Sequence, residues 1–284
     1  MLPNSLKQTR LTVAGLRIHC MIAGRSGPPL ILLHGGGVDS AKLSWGASIG
    51  PLSAVHQVFA PDLPGYGQSD KPDVAYTMDY YVDFLHHLLP VLHLEKVRII
   101  GLSLGGGIAL GFALRFPEKV EKLVLVSPYG IMEKYPYHKL SYLYVHTPIN
   151  ELSYWFLRRS RKWVRQSLLS GAFHNPQRLS QELIDEVYQA MQYPDAGKAF
   201  ASFQRSEFQW NGVQTNFTDQ IHKIAAPTLI INGSEDNLVT ADAAQNATKQ
   251  IKHAKIHILS ECAHWSQREK PKEFNHVVLN FLDG

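Results

Sequence analysis

Ser103 stands in Gly101-Leu102-Ser103-Leu104-Gly105, directly after the apolar run Val97-Arg98-Ile99-Ile100 and directly before the small-residue stretch Gly106-Gly107-Ile108-Ala109-Leu110. A serine between glycines at a strand-to-helix junction sits on a sharp turn that lifts its hydroxyl clear of the sheet edge, and the glycines remove Cβ atoms that would clash. A hydroxyl so placed suits a nucleophile if a base and an acid can reach it. His264 follows the β-branched run Lys255-Ile256-His257-Ile258-Leu259 and the loop Ser260-Glu261-Cys262-Ala263, and is the candidate base. Two acids, Glu235 and Asp236, follow the apolar run Leu229-Ile230-Ile231-Asn232 and its Gly233 turn. The order serine, acid, histidine is one of the chain orders in which such a triad occurs.

His34-Gly35-Gly36-Gly37 follows Leu30-Ile31-Leu32-Leu33 and matches the glycine-rich turn whose backbone N–H groups meet a developing oxyanion. The backbone N–H groups of Gly36 and Leu104 are the candidate donors. Gly35, Gly37, Leu102 and Trp265, which flank them and the histidine, are the candidate substrate contacts. The remaining histidines, among them His86, His87, His93, His253 and His257, read as packed or solvated residues of helices and strands. No histidine and carboxylate cluster has metal-ligand spacing, so neither a metal nor a cofactor is expected.

Positioning these groups requires a sheet. Leu11 to Ala14 and Leu16 to Ala23, separated by Gly15, read as an antiparallel pair, and Leu30 to Leu33, Val58 to Ala60, Val97 to Ile100, Leu123 to Val126, Thr228 to Ile231 and Lys255 to Leu259 read as buried strands. Helical patterns lie between them: Thr77 is a plausible N-cap for Met78 to about Leu89, ended by Pro90, and Leu104 to Phe116 stops before Pro117. Strands alternating with helices define an α/β fold, an eight-stranded, mostly parallel sheet flanked by helices. The alternation breaks between about Gly130 and Ile224. We therefore expect a core domain of residues 1–129 and 225–284 and an inserted helical cap at 130–224. Tyr135, Tyr137, Tyr142, Tyr144, Tyr154, Trp155, Phe156 and Trp163 in that interval read chiefly as packing, with some presented to a substrate beneath.

The 284 residues are 45% hydrophobic and 18% charged, ordinary for a globular chain. The net charge of +4 is too mild for a nucleic-acid surface. Arg158, Arg159, Arg161, Lys162 and Arg165 cluster at mixed helical phases and read as a solvated face, with steering of an acidic substrate as the functional alternative. No apolar run reaches membrane-spanning length, and Met1-Leu2-Pro3-Asn4-Ser5-Leu6-Lys7-Gln8 lacks a secretory core, so no membrane partner and a cytoplasmic location are expected. Two cysteines, Cys20 and Cys262, exclude a disulfide framework.

These motifs together resemble the α/β-hydrolase superfamily over nearly the whole chain. The family spacing, an acid three residues after the turn glycine, implies Asp236 as the triad acid. Asp62-Leu63-Pro64-Gly65-Tyr66-Gly67-Gln68-Ser69-Asp70 matches the turn after the fourth strand of many members and is architectural. The stretch His264-Trp265-Ser266-Gln267, with Glu269, Pro271, Glu273, Phe274 and Asn275, is similar to the meta-cleavage product hydrolases, which cut carbon–carbon bonds in aromatic degradation products. In those enzymes an asparagine usually precedes the nucleophile, where Leu102 stands here, and a cap arginine is matched by Val187; Arg178 and Arg205 are unmatched. A dienol carboxylate then lacks its polar partners. The resemblance thus implies a cofactor-free serine hydrolase, and the expected activity is that of a carboxylesterase on small to medium esters. Carbon–carbon bond hydrolysis is the alternative, and a small-molecule receptor on a hydrolase scaffold is the reading from another class.

Overall fold

The computed structural model describes residues 6–284; of the N-terminal stretch read above, Met1 to Ser5 lie outside the described residues. Strands β1 (Lys7–Val13), β2 (Leu16–Ala23), β3 (Pro29–Leu33), β4 (Gln57–Pro61), β5 (Val97–Leu102) and β6 (Val120–Val126) precede a largely helical interval. That interval contains the two short strands β7 (Phe208–Gln209) and β8 (Gly212–Val213), and β9 (Thr228–Gly233) and β10 (Ala254–Leu259) follow it. The main sheet has eight strands in the order β1-β2-β4-β3-β5-β6-β9-β10. β1 pairs antiparallel with β2 and β2 antiparallel with β4, and every later neighbour is parallel. This is the α/β sheet expected from the alternation of elements.

Local chemistry explains the elements. Ala14 and Gly15 turn from β1 to β2 with φ of 47° and 82°, the positive pair that matches strand twist in a two-residue hairpin. Along β3, Ile31 and Leu33 face one core and Leu30 and Leu32 the other, so the strand is apolar on both sides, as a parallel strand covered by helices must be. The first core is closed by the helices Met78–Val91 and Leu104–Arg115 through Phe84, Leu85, Ile108 and Phe112. Trp45, Phe274 and Val278 close the second. Thr77 caps its helix by accepting the Tyr80 N–H at 3.1 Å. Pro90 lies in the last turn of that helix, which runs to Val91.

Between β6 and β9 lie the helices His138–Val145, Ile149–Leu157, Arg161–Ser167, Gln181–Ala190 and Lys198–Glu207. Among the described residues, no helix is long and apolar enough to cross a membrane.

The backbone packs closely on itself at the end of β5. A Cβ on Gly101 would meet the Gly105 carbonyl oxygen at 2.2 Å, and one on Gly105 would meet those of Leu33 and His34 at 2.4 and 2.5 Å. Backbone cannot move aside as a flexible side-chain tip can. Gly105→Ala should therefore destabilise the fold by about 1–3 kcal/mol, read as a lower denaturation midpoint in urea; an unchanged midpoint would show that the turn relaxes freely.

Candidate active site

Ser103 is held at φ 50° and ψ −113°, a positive-φ conformation that costs a non-glycine residue energy and persists only where its surroundings enforce it. Three hydrogen bonds of 2.9 Å do so: the Ser103 N–H donates to the Val126 carbonyl, and the Ser103 carbonyl accepts from the N–H groups of Gly107 and Tyr129. The hydroxyl thereby stands at the carboxyl edge of the sheet, where β9 and β10 also end.

β9 delivers the acid. Its Gly233 fits against the Cys262 carbonyl, which a Cβ would meet at 2.2 Å, and the chain then turns to Asp236. The Asp236 carboxylate accepts from the N–H groups of Leu238 and Val239 at 2.8 and 2.9 Å through Oδ1, and from Nδ1 of His264 at 2.8 Å through Oδ2. Glu235, the neighbouring acid, is exposed and accepts only from the Ser234 hydroxyl. Burial pushes the Asp236 carboxyl up, but the facing His264 and the Val239 N–H outweigh it and hold the group below the usual carboxylate range.

β10 leads to His264, whose loop is fastened from below. The carboxylate of Glu269, with its side chain fully buried, accepts from the Ala263 N–H at 2.9 Å and from the N–H groups of His174 and Asn175 at 3.1 and 2.7 Å. It ties the loop bearing the imidazole to the helical interval. A second tie is the Trp265 N–H donating to the Ala172 carbonyl at 2.9 Å. Of the two links a triad needs, the structure forms the one between His264 and Asp236; Ser103 and His264 share the wall of one cavity, and such hydrogen bonds often tighten only when substrate is bound.

The glycine-rich turn after β3 is shaped by two buried side chains. His34 donates from Nδ1 to the Gly35 carbonyl at 2.8 Å and accepts the Leu63 N–H at Nε2 at 2.9 Å, which couples the turn to the loop after β4. That loop is itself knitted by Asp62, which accepts from Ala41, Gln68 and His19, so its role is architectural. Asp39 accepts the Gly35 N–H at 2.8 Å and the Ser44 hydroxyl at 2.6 Å. With the Gly35 N–H engaged, that of Gly36 is the next donor along the turn. Leu104, as the first residue of its helix, has an N–H without an intrahelical partner. The ring of Phe200 fills the place a Gly36 Cβ would take, 2.2 Å away.

The cavity over Ser103 has a volume of about 390 Å³. The candidate residues Gly35, Gly36, Gly37, Leu102, Ser103, His264 and Trp265 line it, together with Val38, Tyr144, Tyr154, Leu157, Val187, Met191, Phe200 and Leu238. Phe200 carried no signal in the sequence, because a phenylalanine on an amphipathic helix looks like core. Leu102 and Val187 do face the cavity. Arg178 and Arg205 do not: Arg178 donates to the Glu261 carbonyl at 2.6 Å, and Arg205 pairs with Glu151.

Comparison with known proteins gives the family. Residues 28–271 match the alpha/beta hydrolase fold family, and the chain belongs to that family. It is 31% identical over 277 residues to the 2-hydroxymuconate semialdehyde hydrolase of Pseudomonas sp. (strain CF600), covering 96% of this chain and 92% of that one. It is 28% identical to the 2-hydroxy-6-oxo-2,4-heptadienoate hydrolase of Pseudomonas putida over 90% of each chain. The solved meta-cleavage product hydrolase of Pseudomonas fluorescens IP01 superposes with a TM-score of 0.82 at 28% identity over 99% of both chains.

The expectation of a carboxylesterase is thereby corrected. A carboxylesterase of Bacillus subtilis superposes with a TM-score of 0.79, but at 24% identity that likeness carries the fold alone. The ester reading rested on two positions, Leu102 and Val187. Both line the cavity, yet apolar residues there remove one way of holding a carboxylate and say nothing about which bond is broken.

The lowered Asp236 carboxyl sets a pH dependence. A group whose folded pKa is depressed stabilises the fold above its unfolded pKa, and that contribution is lost as pH falls through the folded value. Asp236→Asn should therefore show a shallower decline in unfolding free energy than the parent as pH falls below about 5, measured by urea unfolding at a series of pH values. Identical slopes would contradict the assignment.

Proposed function

We propose that this chain is a serine hydrolase that cleaves a carbon–carbon bond in ring-fission products of the 2-hydroxy-6-oxo-dienoate type. The observation that carries the reading is the 31% identity to 2-hydroxymuconate semialdehyde hydrolase across 96% of the chain, joined to a His264–Asp236 pair beside Ser103. Residues 130–224 serve as the cap that closes the cavity.

Breaking a carbon–carbon bond by hydrolysis requires a carbon leaving group that can hold an electron pair. In such a dienoate, transfer of the enol proton to C5 gives a 2,6-diketone with a C3=C4 double bond. Ser103 Oγ then adds to the C6 carbonyl while His264 takes its proton, and Asp236 orients the imidazole and stabilises its charged form. The N–H groups of Gly36 and Leu104 hold the oxyanion. Collapse of that adduct breaks the C5–C6 bond, and the released pair spreads to the 2-oxo oxygen, which takes the proton back from His264. A 2-hydroxypentadienoate leaves. Water, deprotonated by His264, then releases the acyl group as a carboxylic acid. The cavity's apolar walls exclude bulk water and strengthen the interaction of the oxyanion with its donors.

The test is turnover of a 2-hydroxy-6-oxo-dienoate, followed by loss of its dienolate absorbance, beside p-nitrophenyl butyrate. The kcat/KM for the dienoate should exceed that for the ester by on the order of 100-fold; equal values, or preference for the ester, would reject the proposal. Ser103→Ala should reduce turnover to background with the thermal midpoint nearly unchanged. Asp236→Asn should lower kcat by roughly 10⁴-fold, and an effect confined to Glu235→Gln would identify the other acid.

A further inference from the structure

The described residues lining the cavity over Ser103 include no lysine, arginine, aspartate or glutamate. Three of its wall hydroxyls are also engaged: Tyr144 donates to Ser153 at 2.6 Å, Ser153 to the Asn150 carbonyl at 2.6 Å, and Ser170 to the Ser167 carbonyl at 2.8 Å. A carboxylate driven into such a space would be desolvated with no charged partner, which is strongly unfavourable.

A second cavity, of about 410 Å³, adjoins the first. Tyr154 and Met191 line both and form the partition between them. The outer cavity is rich in cations: Arg158, Lys198 and Arg205 line it, against one acid, Glu151, which pairs with Arg205. Among the described residues Arg158 and Lys198 have no ion-pair partner, whereas the neighbouring Arg161 is taken by Asp185 and Arg159 lies over the Trp155 ring at 3.5 Å. Trp155 and Tyr193 add aromatic wall. Two unpaired cations beside aromatic surface suit a carboxylate carried on a flat, unsaturated body.

We infer that this outer cavity is the docking subsite for the carboxylate end of the substrate: Arg158 and Lys198 hold the anion, while the reacting ketone passes Tyr154 and Met191 to reach Ser103. The inference rests on the hydrolase reading above. It removes the conflict between an anionic substrate and an uncharged reaction cavity, because the charge stays at the outer site. Part of the basic run that begins at Arg158 thereby faces a ligand as well as solvent.

Binding and turnover test it separately. Isothermal titration of the intact protein with benzoate and with neutral benzamide should show benzoate binding about tenfold more tightly, and the Arg158→Gln/Lys198→Gln double variant should lose that preference. Equal binding in the parent, or a preference retained by the variant, would overturn the subsite. In the kinetic arm the double variant should raise KM for the dienoate about tenfold with kcat little changed, and leave KM for the dienoate methyl ester unaltered. A KM that rises equally for both would show a structural effect and overturn the inference. If the parent turns over no dienoate, the proposed activity fails, and the benzoate comparison still decides the anion subsite.

Discussion

Everything at the site depends on how closely the backbone at the end of β5 approaches its neighbours. Between Gly101 and Gly105 the chain reverses from strand to helix within a space that admits no Cβ at either glycine, and Ser103 is carried through it at positive φ. The strain is sustained by hydrogen bonds from β6 and from the first turn of the helix and by the apolar cores on both faces of the sheet. In return the hydroxyl projects from a rigid corner, and the first helical N–H comes to lie beside it. The proposed nucleophile and one proposed oxyanion donor are thus products of one backbone turn.

The other two members of the proposed triad hang from β9 and β10, which lie beyond β6 in the same sheet. β9 and β10 end together because they are in register from Ala254 opposite Thr228 to Leu259 opposite Gly233, and the glycine at the end of β9 lets the two following loops touch. Asp236 and His264 then meet at 2.8 Å. Buried carboxylates act as fasteners around them: Glu269 binds the His264 loop to the helical interval, and Asp39 binds the glycine-rich turn to the segment after it. Each satisfies backbone N–H groups that burial would otherwise leave without partners.

Above this edge, polarity is separated in space. The cavity over Ser103 presents glycines, aliphatic and aromatic side chains and hydroxyls but no Lys, Arg, Asp or Glu, while cations collect on the far side of Tyr154 and Met191. An apolar chamber strengthens every interaction of an oxyanion with its donors but cannot hold a free carboxylate. In the proposed reaction, charge recognition and bond cleavage accordingly fall to different walls. The same separation explains why Leu102 and Val187 misdirect a reading that looks for charge beside the nucleophile.

The eight strands of the sheet, the sharp turn at Ser103 and the loops that carry Asp236 and His264 were legible in the sequence because they are written in local patterns: β-branched runs, paired glycines, and an acid and a histidine directly after apolar strands. The core helices and the capping role of Thr77 were legible for the same reason. The contact of Asp236 rather than Glu235 with His264, which the bare spacing leaves open, the part of Phe200 in lining the cavity, and the grip of Glu269 on the His264 loop were decided by the tertiary structure. Each depends on which groups meet across more than fifty residues of chain or on which way one side chain faces. Linear spacing carries neither, since a phenylalanine on an amphipathic helix or a glutamate in a C-terminal turn reads the same whether it faces core, solvent or ligand.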